Sequence, residues 1–199
     1  MSKRWYHQHV SDGYVKKANQ EGVRSRAAYK LLEIQKKYKF IKPHDKVIDL
    51  GSAPGAWSQV LVDIVGKQGS VVACDLLDMM PINGVQFIKG DFLDRKIQED
   101  IAKLTDKYDV IVSDMSPNLT GNAIFDQANM LKLLNNVFEF AEFSLKDGGH
   151  ILCKGFHGEM FESMLKLFKT KFKQAKVIKP DASKSGSKEI YFIGSCFGV

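Results

Sequence analysis

Apolar, β-rich runs alternate with stretches of helical period along most of the chain. The runs Lys46–Leu50, Ser70–Leu76, Val85–Gly90, Tyr108–Asp114, His150–Lys154, Ala175–Ile178 and Ile190–Phe197 predict strands. Helical patterns fall near residues 56–66, 95–105, 124–145 and 158–171, with Gly148-Gly149 marking the stop after the third. A further helix over Ser25–Tyr38 precedes the first strand, with Ala27, Ala28, Leu31, Leu32 and Tyr38 on its apolar face at about 100° per residue. Pro180-Asp181 and Ser183–Ser187 form a polar loop before the last strand. Strands alternating with helices build βαβ units and a parallel sheet. The predicted fold is therefore α/β and Rossmann-like, with seven strands and helices on both faces.

Size and composition narrow this picture. A chain of 199 residues, 44% hydrophobic, suits one domain with a substantial core. Residues 1–45 are its basic N-terminal segment and helix, and residues 46–199 its Rossmann-like core. No 18-residue apolar run is present, and the N-terminus MSKRWYHQHVSDGYVKK has no apolar signal region. The three cysteines, Cys74, Cys153 and Cys196, are odd in number and form no C-x-x-C pair, which reads as a reduced, cytoplasmic protein with buried thiols. No residue is assigned to a metal. The net charge of +6 is uneven, since residues 1–46 hold 12 Lys/Arg against 4 Asp/Glu and the remainder 17 against 19. A second cluster, Lys166 to Lys188, has eight lysines against the single acid Asp181. Two basic clusters on an otherwise acidic chain point to a polyanion, with nucleic acid as the first candidate.

Candidate chemistry gathers at the strand ends, where open α/β sheets bind ligands. Val47-Ile48-Asp49-Leu50-Gly51-Ser52-Ala53-Pro54-Gly55-Ala56-Trp57 runs from a strand through a small-residue turn into a helix. It is not G-x-G-x-x-G, and Pro54 removes an amide that could cradle phosphate. The loop suits a nucleoside without a pyrophosphate. Asp75 closes the next strand, about twenty residues on, where nucleotide-binding units grip a ribose diol. Asp91 follows the third strand, and Asp114 closes the fourth. Three acids behind a glycine turn suggest S-adenosylmethionine, with a nicotinamide dinucleotide as the alternative. Lys154 ends the apolar run His150–Cys153, an inner strand by its pattern, and Lys30 sits on the flank of its helix's apolar face. Each lysine, read alone, is a rim or snorkelling residue.

Read together, these segments resemble the FtsJ/RrmJ (RlmE) family of ribosomal RNA 2′-O-methyltransferases, almost end to end. Its marks here are Arg4-Trp5, Ser11-Asp12-Gly13-Tyr14-Val15, Arg24-Ser25-Arg26-Ala27-Ala28-Tyr29-Lys30-Leu31 and Ala53-Pro54-Gly55-Ala56-Trp57-Ser58-Gln59. Cys74-Asp75-Leu76-Leu77, Asp114-Met115-Ser116-Pro117-Asn118, Lys154-Gly155-Phe156 and Ser187-Lys188-Glu189-Ile190-Tyr191 continue it. The resemblance implies an S-adenosylmethionine-dependent methyltransferase fold and a catalytic tetrad of Lys30, Asp114, Lys154 and Glu189. It also implies cofactor contacts from Gly55, Trp57, Asp75, Asp91 and Asp114. Members of the family often carry glycine at the position of Ala56.

The implied reaction moves a methyl in line from sulfonium to a ribose 2′-hydroxyl. Lys154 acts there as the base, or as a cation that stabilises the oxygen while water takes the proton. Lys16, Lys17, Arg24, Arg26 and the late lysines are expected to hold RNA phosphates, and Trp5, Tyr6, Tyr14 and Tyr29 are candidates to stack a base or to pack. The implied partner is ribosomal RNA within the large ribosomal subunit, at a uridine of the 23S A loop, acted on by a monomer without membrane association. Two other classes stay open on residues alone: a nicotinamide-dependent oxidoreductase, and a non-catalytic RNA-binding module. Transfer RNA and messenger RNA caps are alternative substrates within the family.

Overall fold

The computed structural model describes residues 13, 18, 20–184 and 186–198. The expectations for Arg4, Trp5, Tyr6, Ser11, Asp12, Tyr14, Val15, Lys16 and Lys17 lie outside the described residues.

Helix α1 (Ala27–Tyr38) leads into a seven-stranded sheet. The strands are β1 (Lys46–Leu50), β2 (Ser70–Asp75), β3 (Val85–Lys89), β4 (Tyr108–Ser113), β5 (Leu145–Phe156), β6 (Phe172–Ile178) and β7 (Glu189–Phe197). Between them run α2 (Ala56–Val65), α3 (Arg95–Ala102), α4 (Ala123–Ser144) and α5 (Phe161–Lys171). The spatial order is β3-β2-β1-β4-β5-β7-β6, with β7 antiparallel to both its neighbours and all other pairings parallel. The connections progress to one side of β1 and then resume at β4 on the other, so a crevice opens where the strand order reverses.

Each inner strand feeds two cores by strict alternation of its side chains. Ile48, Ile111, Ile151 and Cys153 face α3, α4 and α5, while Val47, Val110, Val112 and Leu152 face α1 and α2. This two-sided burial explains why the strands read as unbroken apolar runs.

The structure corrects the sequence expectation at the end of one helix and on the buried face of another. Helix α4 ends at Ser144, and Gly148-Gly149 lie within β5 instead of stopping the helix. The pairs Tyr108↔Leu145 and Val110↔His150 bracket a bulge there. Gly148 takes φ +77°, and a side chain on Gly149 would meet the Lys146 carbonyl at 2.8 Å. The glycines serve a kinked strand entry. On α1 the buried line is Ala28, Leu31 and Ile34, three residues apart, which leaves Leu32 43% exposed. Tyr29 is buried and donates its hydroxyl to Glu21 Oε2 at 2.7 Å, so it packs and is not presented to a base. Among the described residues no helix is long and apolar enough to cross a membrane.

Candidate active site

Four strand-end and helix residues from distant parts of the chain converge at the carboxyl edge of the sheet. Asp114 follows β4 directly, and Lys154 lies near the end of β5, 8% exposed. The Lys154 ammonium reaches Asp114 twice, donating to its backbone carbonyl at 2.6 Å and lying 3.0 Å from its Oδ1. Because β7 runs antiparallel, its first residue, Glu189, arrives at the same edge. Lys30, on the flank of α1, does lean toward the strand tips, where its Nζ meets Glu189 Oε1 at 2.5 Å. The expected tetrad is thus two ion pairs, Lys154–Asp114 and Lys30–Glu189.

Tyr191 joins them. Its phenol is fully buried, donates to Asp114 Oδ1 at 2.6 Å and lies 3.4 Å from both Glu189 Oε1 and Lys30 Nζ. Burial first, then the charges of Asp114 and Glu189, raise its pKa well above the ordinary phenol value, so it keeps its proton and stays a donor. One sequence signal points to it, its place two residues after Glu189 and hence on the same face of the strand; the register then sets it directly across from Lys154. Ser183 is a second residue the sequence reading passed over, donating its hydroxyl to Glu189 Oε1 at 3.2 Å. Burial would push the Glu189 carboxyl up. The charges of Lys30 and Lys154 and the bonds from Lys30 and Ser183 outweigh that and hold it below the ordinary carboxylate value.

Beside the tetrad, at the reversal of strand order, lies a cavity of about 540 Å³. Asp75, Asp91 and Asp114 all line it, with Gly51, Phe92, Met115, Asn129, Lys132 and Asn136. Asp75 is gripped by backbone: its Oδ2 accepts from the Ala53 amide and its Oδ1 from the Leu77 amide, each at 2.8 Å. Asp91 Oδ1 accepts from the Leu93 amide at 2.9 Å. Gly51 takes φ +75°, and a side chain there would meet Met115 Cγ at 2.7 Å, so glycine lets the β4 exit close against the turn. Asn129, Lys132 and Asn136 form a polar stripe at helical spacing on α4, a pattern visible in the sequence itself. Three carboxylates against one lysine fit a ligand with hydroxyls and amines and repel a pyrophosphate.

The remaining expected site residues fall elsewhere. Gly55 and Trp57, at the start of α2, do not line the cavity. Trp57 is buried, donates Nε1 to the Ala27 carbonyl at 2.8 Å and packs its ring against Tyr191. The position that needs left-handed backbone is Gly55, at φ +103°, whereas Ala56 is the first residue of α2. Arg24 and Arg26, read as phosphate ligands, both direct their guanidinium groups at protein carbonyls: Arg24 at Pro54, Met80 and Pro81, Arg26 at Ala182. The late lysines divide. Lys179, Lys184 and Lys188 stand in the loop at the tetrad edge, while Lys169, Lys171 and Lys173 lie where α5 turns into β6, at the opposite edge. Behind the cavity, Asp49 is wholly buried; it accepts from Ser58 Oγ at 2.6 Å, and its Oδ1 has no partner among the described residues. Burial, together with the charges of Asp114 and Asp75, pushes its carboxyl up to about 7 against the Ser58 bond.

Residues 23–197 match the family model described as FtsJ-like methyltransferase. The chain is 45% identical to ribosomal RNA large subunit methyltransferase E of Marinobacter nauticus, over 100% of this chain and 97% of that protein. It is 46% identical to the protein of the same description from Chromobacterium violaceum, over 97% and 95%. A solved structure from Plasmodium falciparum, described as a ribosomal RNA methyltransferase, superposes with a TM-score of 0.77 at 29% identity, over 87% of this chain and 98% of that one. Aeropyrum pernix fibrillarin, solved with S-adenosyl-L-methionine, shares the fold with a TM-score of 0.61 at 18% identity, over 86% of this chain and 74% of that one.

Proposed function

Since the chain belongs to the FtsJ-like methyltransferase family, we propose that it transfers a methyl group from S-adenosylmethionine to a ribose 2′-hydroxyl of large-subunit ribosomal RNA, at a uridine of the 23S A loop. The observation that carries this reading is the pairing of Lys154 with Asp114 on the rim of a carboxylate-lined cavity. Asp75 suits the ribose diol and Asp91 the adenine amino group. When bound, the cofactor supplies a methyl on a positively charged sulfur.

The residues then have three tasks. Asp114 occupies two of the directions open to Lys154 Nζ, through its carbonyl and its Oδ1, and leaves the third for the attacking hydroxyl. With its proton, Lys154 donates along that direction and stabilises the oxygen as water takes the hydroxyl proton. Without it, the amine lone pair points there and accepts the hydroxyl proton itself. Lys30 and Glu189, held by Tyr191 and Ser183, position the ribose so that oxygen, methyl and sulfur line up.

Phosphates are held by Lys16 and Lys17 of the basic segment 1–45 and by Lys179, Lys184 and Lys188 at the tetrad edge, and binding weakens steeply with salt. The enzyme acts as a monomer in the cytoplasm. The decisive experiment maps 2′-O-methylation across ribosomal RNA in cells with and without this protein. Loss of one 23S A-loop methyl uridine is expected. An unchanged ribosomal map with a lost transfer RNA or cap methyl would redirect the substrate assignment.

A further inference from the structure

Arg24 has no role in the reaction outlined above, and its surroundings suggest one. The loop that follows β2, residues 76–82, forms part of the cavity wall through Leu76, yet it is poorly packed. Leu76, Leu77 and Met80 are 63%, 68% and 76% exposed, and only Met79 is buried. Something other than apolar burial must hold this loop. Asp75 fastens its first turn through the Leu77 amide, and an exposed Lys89–Asp78 pair adds little.

The main tie is Arg24. Its Nη1 donates to the carbonyls of Met80 at 2.6 Å and Pro54 at 2.8 Å, and its Nη2 to the Pro81 carbonyl at 2.8 Å. One guanidinium thus joins the 76–82 loop to the glycine turn, while the Arg24 amide is fixed on Gln59 Oε1 of α2 at 3.0 Å. The junction is tight. A side chain on Gly55 would fall 2.7 Å from Ile82 Cδ1 and 2.9 Å from both Arg24 Nη1 and Met79 Sδ. A planar five-donor fork can span three carbonyls on two segments, and a compact ammonium at the end of a flexible stem cannot.

We infer that Arg24 is a positioning residue for the cofactor: by clamping the 76–82 loop onto the 53–55 turn it sets the affinity for S-adenosylmethionine. It does so in place of the phosphate contact its charge suggests. The inference rests on the cofactor half of the proposed function and is independent of which RNA is the substrate. Loop ordering is completed before the cofactor arrives, so the ordering cost is removed from binding.

The test is calorimetric titration of S-adenosylmethionine into the full-length wild-type chain, Arg24→Ala and Arg24→Lys, without RNA, alongside steady-state kinetics. Arg24→Ala weakens cofactor binding about tenfold or more and raises the cofactor KM in parallel. Its kcat at saturating cofactor and its RNA KM stay within about threefold of wild type. Arg24→Lys recovers little, while millimolar methylguanidinium restores affinity to Arg24→Ala. Met79→Ala, which loosens the same loop from beneath without touching the arginine, reproduces the cofactor-selective loss. Unchanged cofactor affinity in Arg24→Ala overturns the inference. So does a tenfold rise in RNA KM with cofactor binding intact, or an equal loss of both with a lowered unfolding midpoint. A wild-type chain that fails to bind S-adenosylmethionine overturns the cofactor reading itself, and the inference with it.

Discussion

The tetrad and the proposed cofactor cavity adjoin at Asp114 but are built from different materials. In the tetrad, side chains hold side chains: Lys154 grips Asp114, Lys30 grips Glu189, and the Tyr191 hydroxyl ties the pairs together, all at low exposure. In the cavity, backbone holds side chains: the amides of Ala53, Leu77 and Leu93 fix Asp75 and Asp91, and glycines at 51 and 55 let segments close on one another. A side-chain network fails where one functional group is removed, and it fails in the chemistry. A backbone cradle fails where the turn is distorted, and it fails in binding.

Lys154→Ala is the sharpest way to break the comparison. In the proposed reaction it removes the group that faces the acceptor hydroxyl, so kcat should fall about a thousandfold or more. Cofactor affinity should stay within about threefold, because the three carboxylates of the cavity remain. Single-turnover methyl transfer and calorimetry on the same preparation check both. A parallel loss of binding would move Lys154 into the cofactor site and collapse the distinction between the regions.

Gly55→Ala is the mirror-image test. The substitution forces a side chain into left-handed backbone at φ +103° and against Ile82 and Met79. Strain of about 1–3 kcal/mol falls on the turn itself. The cofactor dissociation constant should rise about tenfold or more, with kcat at saturation nearly preserved. The fluorescence of Trp57, two residues on, offers a second readout of turn distortion. A collapse of kcat at saturating cofactor would show that the turn also positions the tetrad.

Tyr191→Phe probes the link within the tetrad. Loss of a hydrogen bond to a charged group is worth about 1.5–3 kcal/mol, so kcat should fall about ten- to a hundredfold while cofactor binding is unchanged. Lys154 keeps both contacts to Asp114, which is why the effect stays well below that of Lys154→Ala. A kcat equal to wild type would mean that the two ion pairs hold their geometry without the bridge.

The different construction of the regions also explains what could be read from the sequence. The sheet, its seven strands and the strand-end acids Asp75, Asp91 and Asp114 were legible because periodicity and strand-end position set them. The grouping of Lys30, Lys154 and Glu189 with Asp114 was legible only through the family resemblance, since each lysine read alone is a rim or snorkelling residue. Tyr191 was hidden by its own neighbours, since an aromatic inside Ile190–Phe197 looks like core until the register places it opposite Lys154. Arg24 and Arg26 misled because charge states what a side chain can attract and not what lies beside it; their carbonyl partners are 30, 56, 57 and 156 residues away. The bulge that absorbs Gly148-Gly149 depends on how β4 and β5 pair, which no local pattern encodes.

Asp49→Asn carries the smallest expected effect and asks whether the regions communicate at all. Asp49 lies behind both, with its raised carboxyl sensitive to the charges of Asp114 and Asp75. A carboxyl near 7 in the folded chain and near 4 in the unfolded one keeps its proton in the native state while the unfolded state loses it. Folding then takes up a proton across that window. Native stability should fall as pH rises from about 4 to about 7, by at most about 1.4 kcal/mol per unit, and level off above. The amide of Asn imitates the protonated carboxyl, a donor where Oδ1 now has no partner, so Asp49→Asn should flatten this slope with kcat within about twofold. Urea unfolding at pH 5, 6, 7 and 8 measures the slope directly. Ionised Asp49 also adds negative charge behind a cavity that takes a cationic sulfonium, so wild-type cofactor affinity should climb through the same window and that of Asp49→Asn should not. If the two profiles coincide, the charge behind the sheet is felt by neither region, and the cradle and the tetrad communicate only through Asp114.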